Sequence, residues 1–171
     1  LLRKRVLMLV ENAPYPTDVR VRNESEALIR AGYRVTVICG ATKNQRWHES
    51  IHGVEVFRYP APQGGNGLLG YLWEYLYSMV ATLLLSGLVQ ARHGFDVIHA
   101  ANPPDTFVFI GLLYKAFGKR FVYDHHDLSP EMYQARFRGR GNRAVERILT
   151  WLEQLSCRSA DRIIATNDSY R

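Results

Sequence analysis

Cysteine is scarce: the 171 residues hold two, Cys39 and Cys157. Two cysteines form no disulfide framework and no CxxC metal pattern, which excludes a small stapled scaffold and fits a reducing cytoplasm. Cys39 lies in an apolar run and reads as a small core residue. Familiar chemical signatures are missing as well. No GxGxxG follows the first strand pattern, and the chain has no phosphate loop of the GxxxxGKS/T type and no GxSxG. The usual dinucleotide fingerprint, the phosphate-loop NTPases and the hydrolase elbow are thereby set aside. There are no internal repeats and no linker-like stretch. Leu1–Arg5 runs directly into a strand pattern without the profile of a signal peptide. Apolar residues make up 47% and charged residues 22%, an ordinary globular balance that excludes disorder.

What is present alternates. Arg5–Glu11 is a short apolar run of the kind buried on both faces of a parallel sheet. Pro14 and Pro16 force a loop. Thr17 or Asp18 can cap a helix to about Ala31, with Val21, Ala27, Leu28 and Ala31 on its inner side, and Gly32 stands where a left-handed C-cap belongs. Arg34–Cys39 is a second strand. After a polar stretch, 40–50, the alternating Gly53–Tyr59 reads as a third strand, more exposed and nearer an edge. Gln63–Gly67 is a flexible loop and Leu68–His93 the longest helical stretch. Phe95–Ala100 is a fourth strand, and Asn102-Pro-Pro-Asp105 offers an N-cap, a first-turn proline and an acid for the next helix, which Gly118 ends. Arg120–Asp124 is a fifth strand. Ser129-Pro-Glu131 opens a short helix in the same way, Gly139–Asn142 reads as a loop, Ala144–Ser159 is helical, and Arg162–Ala165 is a sixth strand. The pattern predicts one Rossmann-like, doubly wound parallel α/β sheet over 1–171. Ligands in such folds bind beyond the carboxyl ends of the strands, so the loops at 12–17, 40–44, 101–105 and 125–129 are the places to look.

Leu68–Val89 contains one charge, Glu74. Its length alone would span a bilayer. However, Ser78, Thr82, Ser86, three tyrosines and two glycines make it polar for that role, and it lies between two strands of one sheet. A crossover helix buried on one side is the plain reading. With Trp73, Tyr71, Tyr75 and Tyr77, its other face could also lie on a membrane. The net charge of +6, with a pI near 9.5, favours anionic partners or no partner at all.

Three segments could hold chemistry. Tyr123-Asp-His-His-Asp127 ends the fifth strand. His125 and His126 are neighbours in extended chain and point opposite ways, which argues against a shared metal and leaves one imidazole for a cleft. Asp18-Val-Arg20-Val-Arg22 sits in the first turns of a helix, where anions are attracted. Arg20 and Arg22 lie about 200° apart around that helix, so one of them can face a cleft. Gln134–Arg143 holds four arginines with Phe137. It could touch nucleic acid or anionic lipid or be a solvated loop, and no nucleic-acid fold motif accompanies it.

Taken together, Pro16-x-Asp18-x-Arg20-Val21-x-x-Glu24 with Ala31-Gly-Tyr-x-Val-Thr-Val37, Phe95–His99 followed by Asn102-Pro-Pro, Val122-Tyr-Asp-x-His126-Asp-Leu-x-Pro-Glu131, and Ala160–Ala165 resemble the N-terminal domain of family 4 glycosyltransferases. The resemblance implies a GT-B architecture in which this chain is the acceptor-side half. The nucleotide-sugar half, with its Lys/Arg pair and spaced glutamates, is a C-terminal domain absent from these 171 residues. It implies transfer of a sugar from a nucleotide-sugar donor to a glycan, lipid or small-molecule acceptor, with retention and without metal or other cofactor, in the cytoplasm, where a peripheral setting on the inner face of the membrane is open to it. The absent DxD motif agrees with a metal-independent reaction. By position His126 matches the family's active-site histidine. Asp18, Arg20, Asn102, Asp127 and Glu131 are the expected substrate-binding residues, and nucleic acid is not an expected partner. Many members carry a Gly-Gly loop after the first strand, whereas this chain has Glu11-Asn-Ala-Pro-Tyr-Pro16. A GT-B sugar-nucleotide epimerase half and a non-catalytic anion- or membrane-binding module remain open alternatives. The chain alone is expected to be inactive.

Overall fold

The computed structural model describes residues 4–61, 67–138 and 141–165. Seven strands form one sheet: β1 (Arg5–Leu9), β2 (Arg34–Ala41), β3 (His48–Ile51), β4 (Val54–Pro60), β5 (Val97–Ala101), β6 (Arg120–His125) and β7 (Arg162–Ala165). Their order is β3-β4-β2-β1-β5-β6-β7, and every pairing is parallel except β3 with β4. The helices are α1 (Val19–Arg30), α2 (Gly67–Arg92), α3 (Val108–Ala116), α4 (Ser129–Arg136) and α5 (Arg143–Ser159). Growth of the sheet reverses between β1 and β5. This makes the carboxyl ends of those two strands the topological switch point, where an open α/β sheet leaves a crevice.

Alternation along the strands divides the core. Leu7, Leu9, Ile38, Phe57, Ile98 and Phe121 face α2, α3 and α5. Val6, Met8, Val35, Val37 and Val56 face Val21, Leu28 and Ile29 of α1. Of the residues expected on the inner side of α1, Val21 is buried and Leu28 packs part-buried on the core, whereas Ala27 and Ala31 are exposed; the helix also buries Ser25. Asp18 is the N-cap, its side chain accepting from the backbone N–H groups of Arg20 and Val21. Gly32 (φ +87°) turns the chain out of the helix with backbone bonds back to Ile29 and from Tyr33 to Leu28, the left-handed exit that glycine makes without a Cβ penalty. At Gly111 of α3 an added Cβ would meet the Phe121 ring at 2.8 Å, so glycine sets how closely α3 lies on β6.

The third strand departs from expectation. Gly53–Tyr59 is neither exposed nor at the edge: Val54, Val56, Phe57, Arg58 and Tyr59 are all buried. The cause is β3, a strand hidden in the polar stretch 40–50, which folds back through His52 (φ 52°) and Gly53 (φ 83°) and takes the edge itself. Buried Arg58 holds the arrangement. Its guanidinium pairs with Glu49 on β3 and donates to the carbonyls of Arg46 and Tyr15, as a buried cation must. Cys39 is fully buried, as its apolar surroundings predict. Of the loop expected at 63–67, residues 63–66 lie outside the described residues and Gly67 instead begins α2; Gly139 and Arg140 of the basic segment also lie outside them.

Helix α2 is the crossover from β4 to β5, and its faces are inverted. Ser78, Thr82, Ser86 and Val89 are fully buried, whereas Leu69, Leu72, Trp73, Leu76, Val80 and Leu84 are exposed, Leu84 by 70%. The helix is long and apolar enough to cross a bilayer by length and composition alone. In the fold, however, it is packed by one side against the sheet, with Tyr77, Ala81, Leu85 and Leu88 part-buried on the core.

Candidate active site

The strand ends at the switch point bring together four ionisable side chains from three elements. The parallel register sets Ala101 beside Asp124, so His99 and Asp124 share one face of the sheet, the face that α1 covers. His99 Nε2 donates to Asp124 Oδ2 at 3.2 Å and lies 3.6 Å from Glu24 Oε2 on α1. On the other side of the same carboxylate, His126 Nδ1 stands 3.0 Å from Asp124 Oδ1. Asp124 is 1% exposed. Burial opposes its charge, but the His126 and His99 imidazoles outweigh burial and hold its carboxyl down to about 2. Glu24 shifts the other way: burial and then the Asp124 charge push its carboxyl up, against the pull of His99, His126 and Arg20.

Asn102 fixes the backbone around His126. Its Oδ1 accepts from the His126 N–H at 2.9 Å and the Asp127 N–H at 3.1 Å, and its Nδ2 donates to the Asp127 carbonyl. This corrects the sequence reading, which makes Asn102 a helix N-cap. Pro104 takes the N-cap position of the short 3-10 turn Asp105–Phe107, without a side-chain bond, and Asn102 instead ties the end of β5 to the loop after β6. Ser129 is likewise not a cap: Leu128 precedes α4, and Ser129 is buried inside its first turn.

The adjacent histidines do point to opposite faces, but neither stands open in a cleft; His125 is 3% exposed and His126 6%. The His125 ring stacks on Tyr123 with centroids 5.4 Å apart and has Glu153 of α5 at 3.8 Å. There the Tyr123 hydroxyl donates to buried Asp105. Burial raises the carboxyls of Asp105 and Glu153, the latter to about 7. β6 thus separates two buried polar clusters, each with one imidazole.

A pocket of about 300 Å³ opens beside this edge. The ends of β1, β2 and β4 form its floor with Glu11, Gly40 and Tyr59; α2 adds Glu74 and Ser78, and α4 adds Met132 and Arg136. Burial, and then the charge of Glu74, push the Glu11 carboxyl up to about 7 although Ser78 donates to it. The Tyr59 hydroxyl is buried and has no hydrogen-bond partner among the described residues. Arg136 pairs with Glu74 at 3.4 Å. Helix α4 starts three residues after His126, so one element links the pocket to the histidine.

Of the residues picked from sequence, His126, Asn102 and Asp127 come together. Asp18 and Arg20 form their own pair at 3.3 Å, Asp18 serving the helix cap. Glu131 is exposed on α4. Sequence reasoning missed Glu24, His99 and Asp124 as site residues, although all three lie inside the motifs that it quoted. The usable signal was alternation at the strand ends, which puts His99 and Asp124 on one face. Glu24, His99 and Asp124 also present possible metal-ligand atoms within 4.8 Å of one another, yet His99 Nε2 and Asp124 Oδ2 already satisfy each other.

This geometry, polar groups converging at a switch point of a doubly wound sheet, agrees with what known proteins resemble the chain. A family model described as a glycosyl transferase 4-like domain matches residues 17–171. The chain belongs to this family. Its fold matches the Rossmann-like half of a GT-B architecture. Among solved structures, sucrose-phosphate synthase from Thermosynechococcus elongatus is 16% identical with a TM-score of 0.70, over 98% of this chain and 43% of that one. A glycotransferase of kitacinnamycin is also 16% identical, with a TM-score of 0.51, over 91% of this chain and 41% of that one. The C-terminal domain of a hydrogenase from Pyrococcus furiosus superposes on 70% of the chain with a TM-score of 0.53 at 14% identity. At such identities these likenesses describe the fold. The chain spans less than half the length of either glycosyltransferase structure. No curated protein sequence matches it.

Proposed function

We propose that this domain is the acceptor-side half of a retaining glycosyltransferase, working with a nucleotide-binding C-terminal domain to move a sugar from a nucleotide-sugar to a glycan, lipid or small-molecule acceptor. The observation that supports this most directly is His126. Its ring is held by Asp124 and its backbone by Asn102 at the switch-point edge, where the other half of a GT-B enzyme would face it. In this reading His126 contacts the donor sugar, Asp127 and Asn102 shape the loop that presents it, and Asp18, Arg20 and Glu131 line the approach for substrate. The chemistry runs without metal, because the Glu24–His99–Asp124 group acts as an ion-paired network rather than as a ligand set.

The acceptor is assigned to the pocket between β4, α2 and α4. Carboxyl, hydroxyl and guanidinium groups line it beside Tyr59 and Met132, a mixture suited to a hydroxyl-rich ring. The exposed leucine face of α2 favours a setting on the inner surface of an anionic membrane, since apolar side chains with Trp73 on a protein of net charge +6 suit a lipid interface.

The test is a donor screen on the full-length protein followed by His126→Ala. The variant should lose roughly 10³-fold in kcat, the upper range for one positioned acid–base or hydrogen-bonding group, with folding checked by circular dichroism. Turnover close to wild type would refute the assignment.

A further inference from the structure

The carboxylate of Asp124 sits between two imidazoles and engages each with a different oxygen, Oδ2 with His99 and Oδ1 with His126. An ionised carboxylate only accepts hydrogen bonds. Oδ1 has no aligned hydrogen bond among the described residues, but its negative charge 3.0 Å from Nδ1 favours the proton on that nitrogen, because a bare Nδ1 there would set lone pair against negative charge. A neutral imidazole has one N–H and one lone pair, so protonation at Nδ1 leaves Nε2 an acceptor. That atom is buried and has no partner among the described residues.

We propose that Asp124 is a positioning residue that fixes His126 in its Nδ1–H tautomer and so presents Nε2 as a hydrogen-bond acceptor to a hydroxyl group of the ligand. The proposal rests on the reading of His126 as the residue that contacts substrate. It follows from position as well as charge. Asp124 is on β6, His99 on β5 pins its second oxygen, and Glu24 on α1 stands behind His99, with Arg20 near Glu24. Asn102 stops the His126 backbone from sliding away from the carboxylate. With Asp124 and Glu24 both acidic, the surroundings of His126 disfavour a phosphate oxygen and suit a neutral hydroxyl. Orientation of an imidazole by a buried carboxylate is an established way to choose a tautomer.

The experiment is long-range 1H–15N correlation on the 171-residue chain labelled with 15N-histidine, with the His126 signals assigned from His126→Gln and the pH raised until the ring is neutral. Nδ1–H is expected in the wild type. In Asp124→Asn, whose amide can donate, the proton is expected to move to Nε2. In the full-length protein the same variant should lower kcat roughly 10²–10³-fold while the donor KM changes less than threefold, and Asp124→Glu should recover part of the loss. A wild-type ring protonated at Nε2, or an unchanged tautomer in Asp124→Asn, overturns the proposal; the wild-type spectrum decides even where the variant does not fold. The expected tautomers combined with no transfer from any donor would leave the positioning intact and remove the glycosyltransferase reading instead. Transfer abolished by His126→Ala but untouched by Asp124→Asn would do the reverse.

Discussion

Two regions of this domain reverse the usual partition of polar and apolar groups, and they do so in opposite senses. At the switch point, Asp124, His99 and His126 lie inside the protein. On α2, leucines, a valine and a tryptophan lie outside while serines and a threonine lie within. The buried charges face each other: every member of the network has an opposite or complementary group within 3.6 Å. The leucine face has no such internal account. Interior charges need partners to persist, and these have them; exposed apolar side chains in a continuous stripe mark a surface that meets something else. The first region explains itself by the fold, and the second only by an environment.

The sharpest way to break this comparison is to remove the centre of the network. Asp124→Ala leaves two buried imidazoles without the carboxylate that both face and should cost about 3–5 kcal/mol of folding stability, the usual penalty for halving a buried ion pair; urea denaturation of the 171-residue chain measures it. A loss below about 1 kcal/mol would show the cluster to be hydrated and the contrast with α2 to be false. On α2 the double change Leu76→Gln, Leu84→Gln should act in the opposite way. Stability should move by no more than about 0.5 kcal/mol, as surface changes do, whereas binding to vesicles rich in anionic lipid should weaken at least tenfold, given roughly 1.5–3 kcal/mol for each large apolar side chain buried. Flotation assays distinguish the two effects, and wild-type protein that ignores vesicles but dimerises would assign the stripe to a second copy.

The smallest expected effect concerns the pocket between the two regions. Glu11 ionises at about 7 in the folded chain against an ordinary 4.5. The unfolded chain gives up its proton first as pH rises, so this group's contribution to stability is present below pH 4.5 and is lost between there and pH 7. Thermal unfolding should show a decline over that window of about 2 kcal/mol or less, and Glu11→Gln should flatten it. An unchanged slope would mean that the carboxyl is better solvated than its position suggests.

Much of this was legible in the sequence, and the exceptions share a cause. Strands β1, β2, β5 and β6 announce themselves because they are largely buried on both faces and read as apolar runs. β3 does not, since His48-Glu-Ser-Ile51 is an edge strand whose composition resembles a loop; missing it made β4 look exposed. The Asn-Pro-Pro segment was read by a local capping rule when the side chain in fact reaches a loop 24 residues away, and no local rule sees that far. The site was half legible for the same reason. His126 stood out through resemblance, and its neighbours His99 and Asp124 become a network only once parallel pairing sets β5 beside β6. The exposed face of α2 was the converse case: composition revealed an apolar helix, but only packing shows that Ser78, Thr82 and Ser86 are buried while Leu69, Leu72, Leu76 and Leu84 are exposed.

Asn102 has a consequence for how such chains diverge. Because one amide grips both ends of the His126–Asp127 peptide pair, the segments around 102 and 126 are a single inherited unit despite their separation. An insertion in either loop, or loss of the amide, would displace the histidine without touching it. Across relatives, Asn102 and the length of the loop after β6 are therefore expected to change together or not at all, and a chain that keeps the histidine but lacks the asparagine should be suspected of having abandoned the chemistry.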